Sequence, residues 1–150
     1  MKNLNKMKIL VTGGSGMVGK SLKKLLPDAT YLSSSDCNLT NEDEVLSLMT
    51  NTKFDVVIHL AAKVGGIVDN INKPDDYFVD NIQMNTNIVK WSRITGVKRF
   101  IGILSTCIYP DKVENYPMTE DMLHQGPPTP TNFSYGYAKR CLAVHIDACN

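Results

Sequence analysis

The sequence predicts an α/β fold, a doubly wound parallel sheet with helices on both faces. Three observations lead there. Apolar runs of strand length alternate with helix-length stretches along the 150 residues. The run Val56–Leu60 is apolar but for His59, as expected of a strand covered on both faces. The first run, Lys8–Thr12, opens directly onto a glycine-rich turn that ends at Gly19. Strands separated by helices need crossover connections, and right-handed crossovers make a parallel sheet.

Each element has its own signal. Lys8–Thr12 reads as the first strand, and Gly16–Leu26 as a helix closed by Pro27. Thr30–Leu32 is a short second strand. Asn41–Met49 is a helix with Thr40 or Asn41 as N-cap and Glu42, Asp43 and Glu44 in its first turn, where the helix dipole favours acids. Val56–Leu60 is the third strand. A long helix runs from Pro74 to Thr95 and stops at Gly96. Phe100–Leu104 is the fourth strand. Residues 109–134 carry five prolines (Pro110, Pro117, Pro127, Pro128 and Pro130) and form a long loop of the kind that usually serves function. A last helix begins near Phe133 and meets no stop signal. The expected strand order is 3-2-1-4, the first half of a Rossmann-type sheet, over a single domain of residues 1–150 with no internal repeat.

Bulk composition excludes several classes of function. The chain is 43% hydrophobic and 21% charged, which fits one globular domain. A net charge of +1 gives no electrostatic case for nucleic acid or an anionic membrane. Lys2, Lys6 and Lys8 are too few and scattered for a targeting helix, and no apolar run approaches a membrane span. Cys37, Cys107, Cys141 and Cys149 form no CxxC pair, so neither a metal site nor a disulfide framework is expected. Reduced thiols in a cytoplasmic protein are the simpler reading.

The turn after the first strand has the spacing Gly13-x-x-Gly16-x-x-Gly19 between a strand and a helix. Its glycines permit a tight turn and close approach of a pyrophosphate, with free helix N–H groups pointing at the phosphates. This predicts a nicotinamide dinucleotide cofactor. At the tip of the second strand come Ser33, Ser34 and Ser35, then Asp36. An acid about 20 residues past the glycines binds the ribose hydroxyls and favours NAD, whereas NADP needs a cation for its 2′-phosphate. Lys20 is the nearest candidate cation, so NADP and NAD both stay open.

Tyr135 and Lys139 stand four residues apart and share a helix face. A nearby ammonium favours the phenolate and would lower the tyrosine pKa towards neutrality. Tyr137 is a rival phenol without a lysine four residues on. Ser105, at the carboxyl end of the fourth strand, could hydrogen-bond the same carbonyl oxygen, since ligands bind at strand carboxyl ends in such sheets. A proton donor beside a nicotinamide means carbonyl reduction or its reverse.

With these residues in place the chain resembles the extended short-chain dehydrogenase/reductases. The matching residues are Thr12-Gly13-x-x-Gly16-x-x-Gly19, His59-Leu60-Ala61-Ala62, Asn81-x-x-x-Asn85-Thr86-Asn87, Ser105 and Tyr135-x-x-x-Lys139. Within that family, Ala62-Lys63-Val64-Gly65-Gly66-Ile67, Ser105-Thr106-Cys107-Ile108-Tyr109-Pro110 and Gly126-Pro127-Pro128 look most like one branch. Its members epimerise GDP-4-keto-6-deoxy-D-mannose at C3 and C5, then reduce the C4 ketone with NADPH to GDP-L-fucose.

The resemblance implies roles. Ser105 and Tyr135 would bind and protonate the C4 oxygen, Lys139 would tune Tyr135 and hold the nicotinamide ribose, and Cys107 would be the epimerisation base. Gly13, Gly14, Ser15, Gly16, Met17, Val18 and Gly19 would hold the pyrophosphate. Asp36, Asn38 and Leu39 would sit by the adenosine, and Ala61, Ala62 and Lys63 would line the cofactor after the third strand. The family pairs its subunits through the helices that correspond to 74–95 and 135–150, with Met84, Ile88, Trp91 and Ile94 candidates for part of that face. Its chains are roughly twice this length, so the expectation is a dinucleotide domain without the later strands, the substrate domain or the histidine that acts as epimerisation acid. His124 and His145 do not match that histidine. Two alternatives remain: another nucleotide-sugar epimerase, dehydratase or reductase, or a non-catalytic dinucleotide-binding or dimerisation module.

Overall fold

A computed structural model describes residues 7–113 and 115–149. Lys2, Lys6 and Asn150 lie outside those residues. Four strands form one parallel sheet: β1 (Ile9–Thr12), β2 (Thr30–Leu32), β3 (Val56–His59) and β4 (Arg99–Gly102). The helices are α1 (Met17–Leu22), α2 (Glu42–Asn51), α3 (Ile67–Asn72), α4 (Pro74–Ile94) and α5 (Phe133–Asp147). No helix among the described residues is long and apolar enough to cross a membrane.

The sheet order is β2-β1-β3-β4, which corrects the expected 3-2-1-4. The reason is burial. β2 has only three residues, with Thr30 exposed and Tyr31 and Leu32 half-buried, so it is suited to an edge. β3 buries Val56, Val57 and His59 and needs a neighbour on each side. The connection through α2 therefore carries the chain past β1, where Val57 pairs with Leu10 on one flank and Phe100 on the other.

Alternation along the strands divides the core into two layers. Leu10 and Val57 face α2, α4 and α5, where they meet Val45, Met49, Ile88, Val89 and Leu142. Ile9, Val11 and Val56 face the other way, towards Leu22, Leu26 and Tyr31 beside α1. α4 and α5 pack along each other.

The local signals act largely as expected. Asn41 caps α2, its side chain accepting from the N–H groups of Asp43 and Glu44. α4 starts at Pro74, and Gly96 closes it with φ of 76°. α1 is shorter than expected. Its last residues turn into tighter i→i+3 hydrogen bonds, from Lys24 to Ser21 and Leu25 to Leu22, as the approach to Pro27 disfavours continued helix. α3 has no signal in the residues, because a six-residue helix behind Gly65-Gly66 is too short to show a period. The proline-rich loop holds two 3₁₀ turns, Glu120–His124 and Pro130–Asn132, and is pinned where the Asp111 N–H donates to the Pro127 carbonyl at 2.9 Å.

Candidate functional site

The turn between β1 and α1 is shaped by missing side chains. Gly13 has φ of 71°, and a Cβ there would lie 2.7 Å from the Ala61 nitrogen. A Cβ on Gly19 would lie 2.7 Å from the Gly13 oxygen and from Gly14 Cα. The Gly14 N–H donates to the Leu32 carbonyl at 2.7 Å, which fastens the turn to β2. Gly16 caps α1 with no side chain to occupy the first N–H groups, so these stay open to an anion.

A cavity of about 560 Å³ lies over this turn, at the carboxyl ends of the strands. Gly13, Ser15, Gly16, Met17, Val18 and Gly19 line it, with Ala61, Ala62 and Lys63 after β3 and Asn38 and Leu39 at the far end. Of the other residues expected there, Gly14 is buried beneath the turn, where a Cβ would strike Tyr31. Asp36 does not line the cavity. Its carboxylate accepts from the Ser33 N–H at 2.8 Å and the Ser33 hydroxyl at 2.5 Å, and these bonds hold its pKa below the usual carboxylate value. Lys20 is exposed and also lies off the cavity. Sequence reasoning missed Asp80, Met84 and Ile103 at the near end. Only packing of α4 against the strand ends brings them there. Lys63 donates to Asp80 at 2.6 Å and Asp76 at 3.4 Å, and these bonds raise its pKa.

Beside this cavity the first turn of α5 faces the segment after β4. Tyr135 and Lys139 lie on α5, with Tyr135 half-buried and Lys139 only 2% exposed. The Lys139 ammonium donates to the Ile103 carbonyl at 2.9 Å, and burial pushes its pKa down to about 8. Burial also raises the Tyr135 pKa, with the Ser105 hydroxyl opposing the rise and the charge of Cys107 adding to it. This corrects the expected lowering by Lys139. Desolvation is the largest cause, and the Lys139 ammonium is turned to the Ile103 carbonyl at the strand end.

Ser105 is extended and its oxygen accepts from the Cys107 N–H at 3.2 Å, which leaves its own hydrogen free to donate. Cys107 is half-buried on the 3₁₀ turn Thr106–Ile108, and its sulfur accepts from the Asn132 side-chain amide at 3.4 Å. Gly136 lets this segment sit on α5, since a Cβ there would come within 2.6 Å of the Cys107 carbonyl. Ser105, Cys107, Tyr135 and Lys139 are thus brought to one place. His124 is exposed and His145 half-buried, both away from it.

A buried polar chain holds this arrangement to the sheet. His59 is fully buried, with Nδ1 at 2.7 Å from Thr12 Oγ1 and Nε2 at 2.9 Å from Asn85 Oδ1. The Asn85 amide donates to the Ala138 carbonyl of α5 at 3.3 Å. An Asn85 oxygen facing the ring makes Nε2 the donor and leaves Nδ1 to accept from Thr12, so the imidazole is neutral. Burial lowers its pKa to about 4. His59 is therefore a brace between β1, β3, α4 and α5.

A family model described as the NAD dependent epimerase/dehydratase family matches residues 9–150. GDP-L-fucose synthase of Dictyostelium discoideum is 40% identical over 153 aligned residues, covering 97% of this chain and 48% of that protein. Probable GDP-L-fucose synthase of Drosophila melanogaster is 40% identical over 94% of this chain and 46% of its own length. The solved structure of a GDP-L-fucose synthetase from Naegleria fowleri bound to NADP superposes with a TM-score of 0.85 at 39% identity, over 96% of this chain and 48% of that one. The chain spans about half the length of the curated relatives it matches.

Proposed function

The chain belongs to the NAD dependent epimerase/dehydratase family, and from that premise we propose that it serves the epimerisation and reduction of GDP-4-keto-6-deoxy-D-mannose to GDP-L-fucose. The carrying observation is the placement of Ser105, Cys107 and Tyr135 together beside a glycine-built dinucleotide cradle. The likeness to a synthetase solved with NADP supports that cofactor here, with NAD the alternative because serines occupy the tip of β2. The cradle fits a pyrophosphate: Gly13, Gly14 and Gly19 stand where a Cβ would collide, and the N–H groups at the start of α1 have no side-chain partner. Ser15–Gly19 would hold the pyrophosphate, Asn38 and Leu39 the adenosine end, and Ala61–Lys63 the nicotinamide half. When bound, the dinucleotide supplies the hydride for the C4 ketone.

The residues of the chain then have distinct work. The 4-keto group acidifies the C–H bonds at C3 and C5. Cys107 takes a proton there as the thiolate, and the proton that completes inversion on the opposite face would come from an acid outside these residues. Ser105 donates a hydrogen bond to the C4 oxygen, and Tyr135, kept protonated by burial, delivers the proton that the reduced oxygen needs. Lys139 is anchored at the end of β4 through the Ile103 carbonyl, and would hold the nicotinamide ribose beside Tyr135.

In this reading the 150 residues are the dinucleotide-binding domain, and a substrate domain would belong to the length its relatives have beyond them. The four free thiols fit a cytoplasmic setting. A homodimer through α4 and α5 is part of the proposal, with its face revised. Ile88 is fully buried in the core, Met84 lines the cavity and Trp91 packs on the core, so Phe78, Val79, Ile94, Phe133 and Val144 are the exposed large apolar residues of these helices.

Calorimetric titration with NADPH, and with NADH in parallel, tests the cofactor assignment. Proton exchange at C3 and C5 of the keto sugar nucleotide in D₂O tests the epimerisation. Micromolar NADPH binding with exchange that disappears in Cys107→Ser is the expected result. A folded chain that binds neither dinucleotide would overturn the proposal.

A further inference from the structure

α2 and α5 both carry an asparagine at the N-cap position but start from different backbone, Asn41 being extended and Asn132 ending the 3₁₀ turn Pro130–Asn132. Asparagine is among the best residues for that position because its side-chain oxygen accepts a free N–H of the first turn. Asn41 does this for α2. Asn132 does not do it for α5, whose N-cap makes no side-chain capping hydrogen bond. Its amide reaches back 25 residues in sequence and donates to Cys107 Sγ at 3.4 Å. The amide nitrogen of Asn132 is thus directed at one sulfur of a distant segment rather than at its own helix.

The rest of Cys107 is already fixed. Its N–H is bound to Ser105 Oγ, and its carbonyl lies against Gly136, where no Cβ would fit. The side-chain torsion is the freedom left, and the Asn132 amide decides it. An N–H donor binds a thiolate more strongly than a thiol, since hydrogen bonds to ionised acceptors are the stronger class. The charged and titratable groups nearby come from α5: Tyr135, Arg140, whose Nε donates to the Ile108 carbonyl at 2.5 Å, and Lys139 on the Ile103 carbonyl. The turn Pro130–Asn132 contributes no charge of its own.

We propose that Asn132 is a positioning residue for Cys107: its side-chain amide aims the sulfur and stabilises the anionic form that takes a proton from the substrate. The inference rests on the acid–base role given to Cys107 above, but its test requires no turnover. Iodoacetamide alkylation of the whole chain, followed by peptide mass spectrometry from pH 5 to 10, reads the midpoint for Cys107 directly. Cys141 is exposed and serves as an internal reference.

Asn132→Ala is expected to raise the Cys107 midpoint by about one pH unit, a roughly tenfold slower alkylation at neutral pH. Asn132→Asp keeps the side-chain shape, replaces the donor with an anion, and is expected to raise it further. The Cys141 profile should stay unchanged in both. Far-UV circular dichroism identifies a variant that has lost its fold, and the aspartate variant then stands as the test. An unchanged Cys107 midpoint in a folded variant overturns the inference, as does an aspartate variant that alkylates like the parent. NADPH titration of the same samples separates the two claims: a shifted midpoint without cofactor binding sinks the proposed function and leaves the Asn132 assignment standing.

Discussion

The glycine cradle and the acid–base cluster sit side by side and are built on opposite principles. The cradle is one continuous stretch, Thr12–Gly19, whose working parts are backbone N–H groups exposed by the lack of side chains. The cluster consists of side chains from separate segments: Ser105 and Cys107 after β4, Asn132 before α5, and Tyr135 and Lys139 on it. One therefore fails when an atom is added, and the other when alignment between segments is lost.

Gly13→Ala should have the largest effect, since its Cβ meets the Ala61 backbone and its φ is positive. Backbone strain alone should cost about 1–3 kcal/mol. NADPH binding should fall below calorimetric detection, while the chain still folds by circular dichroism. Retained micromolar affinity would mean the cradle is looser than its geometry.

The brace beneath both regions should answer to pH. His59 has its pKa lowered from 6.5 to about 4 in the folded chain. Between those values the unfolded state binds the extra proton, so this contribution is whole above pH 6.5 and lost as pH falls to about 4. The full loss is about 3 kcal/mol. Urea unfolding at pH 7 and pH 4 should show it, and His59→Gln should flatten the difference. Equal slopes in both proteins would remove His59 as the cause.

Gly136→Ala is designed to break the cluster and spare the cradle. Its Cβ would press on the Cys107 carbonyl and on Pro128, a crowding worth about 1–3 kcal/mol. Denaturant midpoints should fall accordingly while NADPH affinity changes less than about threefold. A large loss of affinity would show that the two regions are coupled. The smallest effect should come from Tyr135→Phe, with stability within about 1 kcal/mol of the parent and cofactor affinity nearly unchanged. Reduction of the keto sugar should cease in any active form, and persistent reduction would remove Tyr135 as the proton donor.

The difference between the two regions is also the difference in what could be read from residues alone. Glycine spacing, the capping of α2 by Asn41, the Pro74 and Gly96 ends of α4 and the i, i+4 pairing of Tyr135 with Lys139 are local. Each depends on neighbours within one turn or one strand, so the sequence by itself determined them, and with them the α/β class. Tertiary structure decided what depends on burial and on distant partners. It set the strand order, because only packing shows which of two short apolar runs can be flanked twice. It spent Asp36 on its own turn and moved Ile88 from the expected interface into the core. It reversed the expected direction for Tyr135, because desolvation is a property of the surroundings that a pair of residues does not carry. And it placed the Asn132 amide against the Cys107 sulfur across 25 residues, a contact that exists only once the loop has folded over the end of the sheet.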